Sequence, residues 1–245
     1  MASRVLIPII QCVVWIEGGE ETHRLFQSPR PFVEIASGSP DVSYVDAMQR
    51  RRLSRLSRAL LHCAGRCRTG GKHFRIVMAS RYGDTGQTME MLRDLAAGEG
   101  ISPMAFSLSV HNAAAAIYSI VQGLRSPISA MAAGEESFGW GLIEAYSAWK
   151  TTQDSPVLYL YGDDCLPDEL ASFRDSGERL HAIGLSIGTP ATHTVCVEWR
   201  ETETPVVPPQ PQSFHFLERL LSSTTPQEWM GRRLAWSWNV TEEKH

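Results

Sequence analysis

Glu135 is the residue whose setting first suggests chemistry. It lies in Ala133-Gly134-Glu135-Glu136-Ser137, where the short apolar run Ile128–Ala132 gives way to a helical pattern beginning near Ser137. A strand that feeds a helix through a sharp glycine turn is where many α/β enzymes hold a nucleophile. Free N–H groups at a helix start favour an anion by about 0.3–1 kcal/mol. A carboxylate at position 135 is therefore suited to capping the helix or holding a hydrogen bond. Ser137 is a poor nucleophile candidate. Gly134-Glu135-Glu136-Ser137-Phe138-Gly139 puts two residues where a Gly-x-Ser-x-Gly elbow has one, so Ser137 is expected in the first turn of the helix.

Other candidates fall away on spacing. Gly65–Lys72 (GRCRTGGK) is one residue off a phosphate loop, carries His73 in place of Ser or Thr, and follows a helix rather than a strand. No Gly-x-Gly-x-x-Gly occurs, so no cofactor is expected. Cys63 and Cys67 stand one helical turn apart beside His62, but a second ligand pair is missing. They are expected as core thiols, and no metal site is expected. The arginines at 50, 51, 52, 55, 58, 66 and 68 make one helix basic. Such a face is either solvated and salt-bridged or a dock for an acidic partner. Asn112 suits an N-cap, with His111 beside it as a hydrogen-bonded structural residue. Ala113–Ala116 follows, four small side chains that either pack tightly on another helix or leave a groove.

These residues need positioning elements. Val5–Trp15 reads as a strand buried on both faces; it lacks a cleavage site, so a first strand is expected rather than a secretion signal. Glu17–Val42, with Pro29, Pro31, Gly38 and Pro40, reads as loop. Asp46–Arg68 reads as a helix capped by Asp46 and stopped at Gly70-Gly71. Phe74–Ala79 is a strand and Gln87–Ala97 a helix closed by Gly98. Ile101–Phe106 is expected to be extended because of Pro103. Then come the helix Asn112–Gln122, the strand Ile128–Ala132, the helix Ser137–Lys150 and the strand Val157–Tyr161. Leu180–Ile187 and Thr194–Trp199 are expected to form a hairpin-like pair. Strands alternating with helices imply a layered α/β fold.

On these residues the chain resembles the β-ketoacyl synthases of the thiolase superfamily. Asn112 matches their Asn-containing helix start. Gly123-Leu124-Arg125-Ser126-Pro127 matches a Gly-Leu-Arg-Gly-Pro-like turn, and Arg50-Arg51-Arg52-Leu53-Ser54-Arg55 resembles their Arg-Arg-x-Ser-Arg element. A gapless count places Ala133-Gly134-Glu135 on Thr-Ala-Cys, with Glu135 in place of the nucleophilic cysteine. A slip in that count would put Glu136 or Ser137 there, and neither restores a thiol. Phe106-Ser107-Leu108-Ser109-Val110-His111-Asn112-Ala113 is similar to short ketosynthase-like proteins grouped with chain length factors of aryl-polyene biosynthesis. The resemblance covers about Val45 to Asp164.

It implies a thiolase-like N-terminal half: a layered mixed sheet with flanking helices. Residues 1–201 would form that domain, 202–212 an exposed linker, and 213–245 a C-terminal helix and tryptophan-rich tail packing on the same domain. The half that supplies two histidines in ketosynthases is absent by this reading; His181, His193 and His215 stand in other contexts. The implied role is a non-catalytic, chain-length-factor-like subunit that pairs with a complete ketosynthase and shapes the acyl tunnel in polyene or fatty-acid-type elongation. The alternative is a malonyl-carrier-protein decarboxylase using Glu135. Phe106, Ser109, His111, Asn112, Ala114, Ala115, Tyr118, Ile128, Ala130, Ala132 and Glu135 would face the tunnel or interface. The uncharged strand Ile128–Ala132 would pair antiparallel with its counterpart across a two-fold axis. Arg51, Arg55 and Arg58 would steer an acyl carrier protein or the partner subunit.

Composition sets outer limits. The 245 residues are 43% hydrophobic and 20% charged, enough for one domain with an ample core. A net charge of −4 argues against a general nucleic-acid binder. No run reaches the roughly 18 apolar residues of a membrane span. Five scattered cysteines are expected as reduced thiols in a cytoplasmic protein.

Overall fold

A computed structural model describes residues 2–18, 30–67, 69, 71, 73–152, 155–191, 193–202, 206–208, 210–221 and 228–242. Pro29, Arg68, the helix stop at Gly70, Lys72 and the linker positions 203–205 and 209 lie outside these residues.

The strands are β1 (Ser3–Ile16), β2 (Val33–Ala36), β3 (Arg75–Ala79), β4 (Ile128–Met131), β5 (Val157–Asp163), β6 (His181–Ile187), β7 (His193–Glu201), β8 (Trp229–Met230) and β9 (Leu234–Glu242). Among the described residues they form one mixed sheet in the order β4-β3-β5-β6-β1-β7-β9-β8, with β2 also pairing β1. β4, β3 and β5 are parallel; β5 to β6, β6 to β1, β1 to β7 and β7 to β9 are antiparallel. The helices are α1 (Ala47–Arg50), α2 (Arg55–Arg66), α3 (Thr85–Ala96), α4 (Pro103–Leu108), α5 (Ala113–Gln122), α6 (Ser137–Thr152) and α7 (Gln212–Leu221), with a 3-10 turn at Asp168–Phe173.

The strand period of two sorts the core into two layers. Val157, Tyr159 and Tyr161 of β5 point into one layer with Phe138, Leu142 and Ala145 of α6 and Phe216 and Leu217 of α7. Leu158 and Leu160 point into the other, with Leu56, Leu60 and Cys63 of α2 and Ala114, Ala115 and Tyr118 of α5. The expected α/β layered fold is present. Gly162 lies inside β5 rather than closing it, because the ladder to β6 continues through Gly162↔Ala182 and Asp163↔His181; a Cβ there would meet His181 O at 2.9 Å and Leu60 Cδ2 at 3.0 Å.

Four local expectations are corrected. The helix read over Asp46–Arg68 breaks at 51–54: Asp46 caps α1, and Ser54 caps α2 by accepting from Ser57 N–H at 3.0 Å. Residues 103–108 are helical, not extended. Proline suits the first helical turn, where its missing N–H goes unused, and Ser102 Oγ accepts from Ala105 N–H at 3.3 Å. β6 and β7 are not a hairpin; β1 lies between them and pairs with both. The stretch read as loop contains β2, parallel to β1 through Cys12↔Val33 to Trp15↔Ala36.

Candidate functional site

The C-terminal ends of β4, β3 and β5 lie side by side, and in open α/β sheets such ends are where ligands are held. The turn after β4 carries Glu135, the loop after β3 begins at Ser80, and β5 ends on Asp163.

The 133–136 turn is fixed from inside. Gly134 adopts φ +62°, a left-handed conformation that favours glycine. Ser137 is fully buried; its hydroxyl donates to Gly134 O at 2.6 Å and accepts from Ala133 N–H at 2.8 Å. It is a helix-start residue, as its spacing predicts. Both glutamates reach to the C-terminal segment. Glu135 Oε1 accepts from the backbone N–H of Arg232 at 2.5 Å, and Oε2 lies 3.6 Å from Arg232 Nε. Glu136 Oε1 accepts from Leu234 N–H at 3.1 Å, and Oε2 accepts from Trp140 Nε1–H at 3.1 Å. Burial pushes the Glu136 carboxyl above its usual range, against the opposing hydrogen bond from Trp140 and the charge of Arg233.

A second polar centre is one that sequence reasoning missed. Asp163 Oδ1 accepts from Ser80 Oγ at 2.6 Å and from the N–H of Arg81 at 2.8 Å; Oδ2 accepts from the Tyr161 hydroxyl at 2.5 Å. Burial and the Asp163 charge push the Tyr161 phenol well up. Ser80 Oγ accepts in turn from Gly83 N–H at 2.8 Å, so one carboxylate shapes the whole 80–83 loop. Behind it, His181 is buried and its pKa is lowered, first by desolvation. One ring nitrogen lies 2.9 Å from Arg179 O and the other 2.8 Å from Ser213 Oγ. The carbonyl can only accept, so Nδ1 carries the proton and Nε2 accepts from the serine. The available signal was polarity out of place: Asp163 ends a run of Val, Leu and Tyr, and His181 opens Ala-Ile-Gly-Leu-Ser-Ile.

The predicted residues are spread across three environments. His111 joins the site's rim, with Nε2 3.1 Å from Ser80 O and its ring against Gly83. Ser109 Oγ donates to Phe106 O at 2.9 Å, and the Phe106 side chain is 61% exposed. Asn112 occupies the cap position of α5 but makes no side-chain cap bond, contrary to expectation. Ala114, Ala115 and Tyr118 are buried in the chain's own core, Tyr118 standing edge-on to Tyr44 at 6.2 Å. Of the two readings of the alanine run, tight packing is the one seen within the chain, where α5 lies on α2. Ile128 is half-buried and Ala130 exposed on β4, and Ala132 is exposed just beyond it. Of the basic residues, Arg51 is exposed, whereas Arg55 pairs with Glu17 and lies 3.9 Å from Asp164. Arg58 donates to the carbonyls of Leu53, at 3.2 Å, and Arg50, holding the break between α1 and α2. Cys12, Cys63 and Cys67 are buried, and desolvation raises all three thiols. No metal-binding cluster of three or more His, Cys, Asp or Glu occurs among the described residues. No helix among them is long and apolar enough to cross a membrane.

The family model of the β-ketoacyl synthase N-terminal domain matches residues 26–239. No curated protein sequence matches the chain. Among solved structures, a chain of the ketosynthase (ApeO) in complex with its chain length factor (ApeC) from Xenorhabdus doucetiae superposes with a TM-score of 0.77 at 23% identity, covering 96% of this chain and 99% of that one. The ishigamide ketosynthase/chain length factor gives a TM-score of 0.50 at 17% identity, over 61% of this chain and 49% of that one. A β-ketoacyl synthase from Burkholderia phymatum STM815 gives 0.53 at 12% identity, over 85% and 62%. At these identities the likeness establishes the fold, a thiolase-type layered α/β architecture.

Proposed function

The chain belongs to the family of the β-ketoacyl synthase N-terminal domain, and from that premise we propose that it is a chain-length-factor-like subunit. It pairs with a complete ketosynthase and helps to shape the tunnel in which a carrier-bound acyl chain grows. The observation that carries this reading is the turn after β4. By the gapless count the family's thiol position falls on Glu135, and the carboxylate of Glu135 is taken up by the backbone of its own C-terminal segment. A carboxylate so held forms no thioester and leaves the bond-forming step to a partner.

Three further features support it. The superposed chain from the Xenorhabdus complex is matched over nearly its whole length, so it is as short as this one. α4 buries no residue and α3 buries only Met91, while Leu95, Phe106 and Ile120 are 56%, 61% and 72% exposed. An apolar surface of this kind marks a contact with another molecule. It continues along the chain into β4, an uncharged edge strand. On this reading Phe106, Ile128, Ala130 and Ala132 lie at the partner interface, and the Phe106–Ala113 run points to polyene-type chains. Of Arg51, Arg55 and Arg58, the exposed Arg51 is the one offered to an acidic carrier protein, since Arg55 and Arg58 already hold partners of their own.

The test is co-expression with a β-ketoacyl synthase, followed by native mass and elongation assays on the complex and on each chain alone. A heterodimer that elongates while this chain alone is inert is expected. Elongation by the isolated chain, carbon dioxide release from malonyl-carrier protein by the isolated chain, or failure to associate would each overturn the proposal.

A further inference from the structure

We infer that Glu135 and Glu136 form a two-point latch that ties the C-terminal β8–β9 hairpin across the turn after β4. The inference stands on this chain's own contacts and does not depend on the partner. The two acids are consecutive, and they take the N–H groups of Arg232 and Leu234, residues 97 and 98 positions away in sequence. The two donors flank Arg233 at the tip of the hairpin, so adjacent acceptors on one turn meet alternate N–H groups of the other. The turn itself is closed by Gly231 N–H donating to Leu234 O at 2.9 Å. Position 231 admits no larger residue without movement, since a Cβ there would lie 2.6 Å from the Trp229 ring.

The latch fastens a specific seam. Trp236, two residues beyond Leu234, is fully buried against α6, and a Cβ on Gly139 would approach its ring to 2.9 Å. Trp236 stacks on Trp199 with centroids 5.5 Å apart and meets Trp140 edge-on at 5.3 Å. Trp140 in turn donates to the second oxygen of Glu136. On the same side, Gly139 N–H donates to Gln212 Oε1 at 2.7 Å, so α7 is drawn onto the same helix turn. The first turn of α6, the hairpin and α7 are thus joined through these two carboxylates and one amide. Arg232 and Arg233 supply positive charge beside them. The acids at the turn are positioning residues for the C-terminal strand, and the strand in turn covers the turn.

Hydrogen exchange on the full chain tests this. In a Glu135→Ala/Glu136→Ala variant, exchange across residues 228–242 should accelerate at least ten-fold, while peptides from β3 and β5 keep their wild-type rates. A Glu135→Gln/Glu136→Gln variant keeps a carbonyl oxygen at each acceptor position and should stay within about three-fold of wild type. If the double alanine variant does not fold, Glu135→Ala alone decides: local acceleration in 228–242 upholds the latch. Unchanged exchange in 228–242, or equal acceleration in the alanine and glutamine variants, would overturn it.

Discussion

Ala130→Pro separates pairing between chains from folding within one. β4 pairs in parallel with β3, in the register Ile76↔Ile128 to Ala79↔Met131. Ile76 N–H donates to Pro127 O at 3.2 Å and Ser80 N–H to Met131 O at 3.3 Å. In a parallel ladder the N–H and C=O of one residue point to the same side, and alternate residues face opposite sides. Residues 127, 129 and 131 therefore face β3, and Ile128 and Ala130 present their backbone groups to the open edge. Proline at 130 removes a donor that β3 does not use, and edge strands tolerate it. On the proposed reading a partner strand adds at this edge, and its carbonyl opposite residue 130 would lose its donor. A buried acceptor left unpaired costs about 1–3 kcal/mol, a weakening of about 5- to 150-fold. Titration calorimetry against a ketosynthase that binds the wild-type chain would read this directly, with circular dichroism and thermal melting as the check on folding. Ser129→Pro, which faces β3, should instead lower the melting temperature of the isolated chain. A correctly folded Ala130→Pro chain that binds as tightly as wild type would refute the edge-pairing argument.

Substitutions at three other positions probe the interior. Asp163→Ala leaves the Ser80 hydroxyl, the Arg81 N–H and the Tyr161 hydroxyl without their acceptor; a loss of about 3–5 kcal/mol is expected in urea denaturation, and Asp163→Asn, which keeps one oxygen, should lose less. His181 is held neutral with a depressed pKa, so the unfolded chain takes up the proton first as pH falls below about 6.5. The stability this histidine contributes is present above that pH and is lost downward towards the folded pKa, with a slope approaching about 1.4 kcal/mol per pH unit. The stability difference between wild type and His181→Gln should therefore shrink from pH 7.5 to pH 5, and a constant difference would contradict the assignment. Ala115→Phe overfills a position with no exposed surface and should cost about 1–3 kcal/mol or more; altered product length with an unchanged melting temperature would instead return Ala115 to the tunnel wall.

The parts of the fold that follow from local chemistry could be read in the sequence. The turn at 134 is written in a glycine between an apolar run and a helical one, and the stop after α5 in Gly123, which adopts φ +64°. The buried β5 is written in Val157–Tyr161. What escaped depends on distant pairing. Gly188-Thr189-Pro190 marks a turn, but only the 14-residue β1, far away in sequence, decides that β6 and β7 are held apart. The tail offered a signal that went unused: Leu234, Trp236, Trp238 and Val240 alternate with smaller or polar residues, which is strand periodicity. For the site, the pattern placed Glu135 at the turn, yet its Oε1 takes a backbone N–H, a group that carries no residue identity to read. The alanines at 114 and 115 announced close approach without saying which chain approaches. Burial against α2 supplies that answer for the isolated chain.

The two ends of the sheet differ in what they expose. β4, at one end, has no strand on its outer side among the described residues, and Ser129 and Ala130 are small, uncharged and exposed there. An edge of this kind accepts another strand. At the opposite end the hairpin finishes in β8, only two residues long, with the adjacent Glu228 tied to Arg200 at 2.6 Å. β8 covers only Ala235 and Trp236 of the longer β9 on that side. On the proposed reading, the partner strand adds at the β4 edge, whose exposed residues are small and uncharged. The latch at the 133–136 turn bears on the β8 end, because the N–H groups it takes belong to the hairpin between β8 and β9.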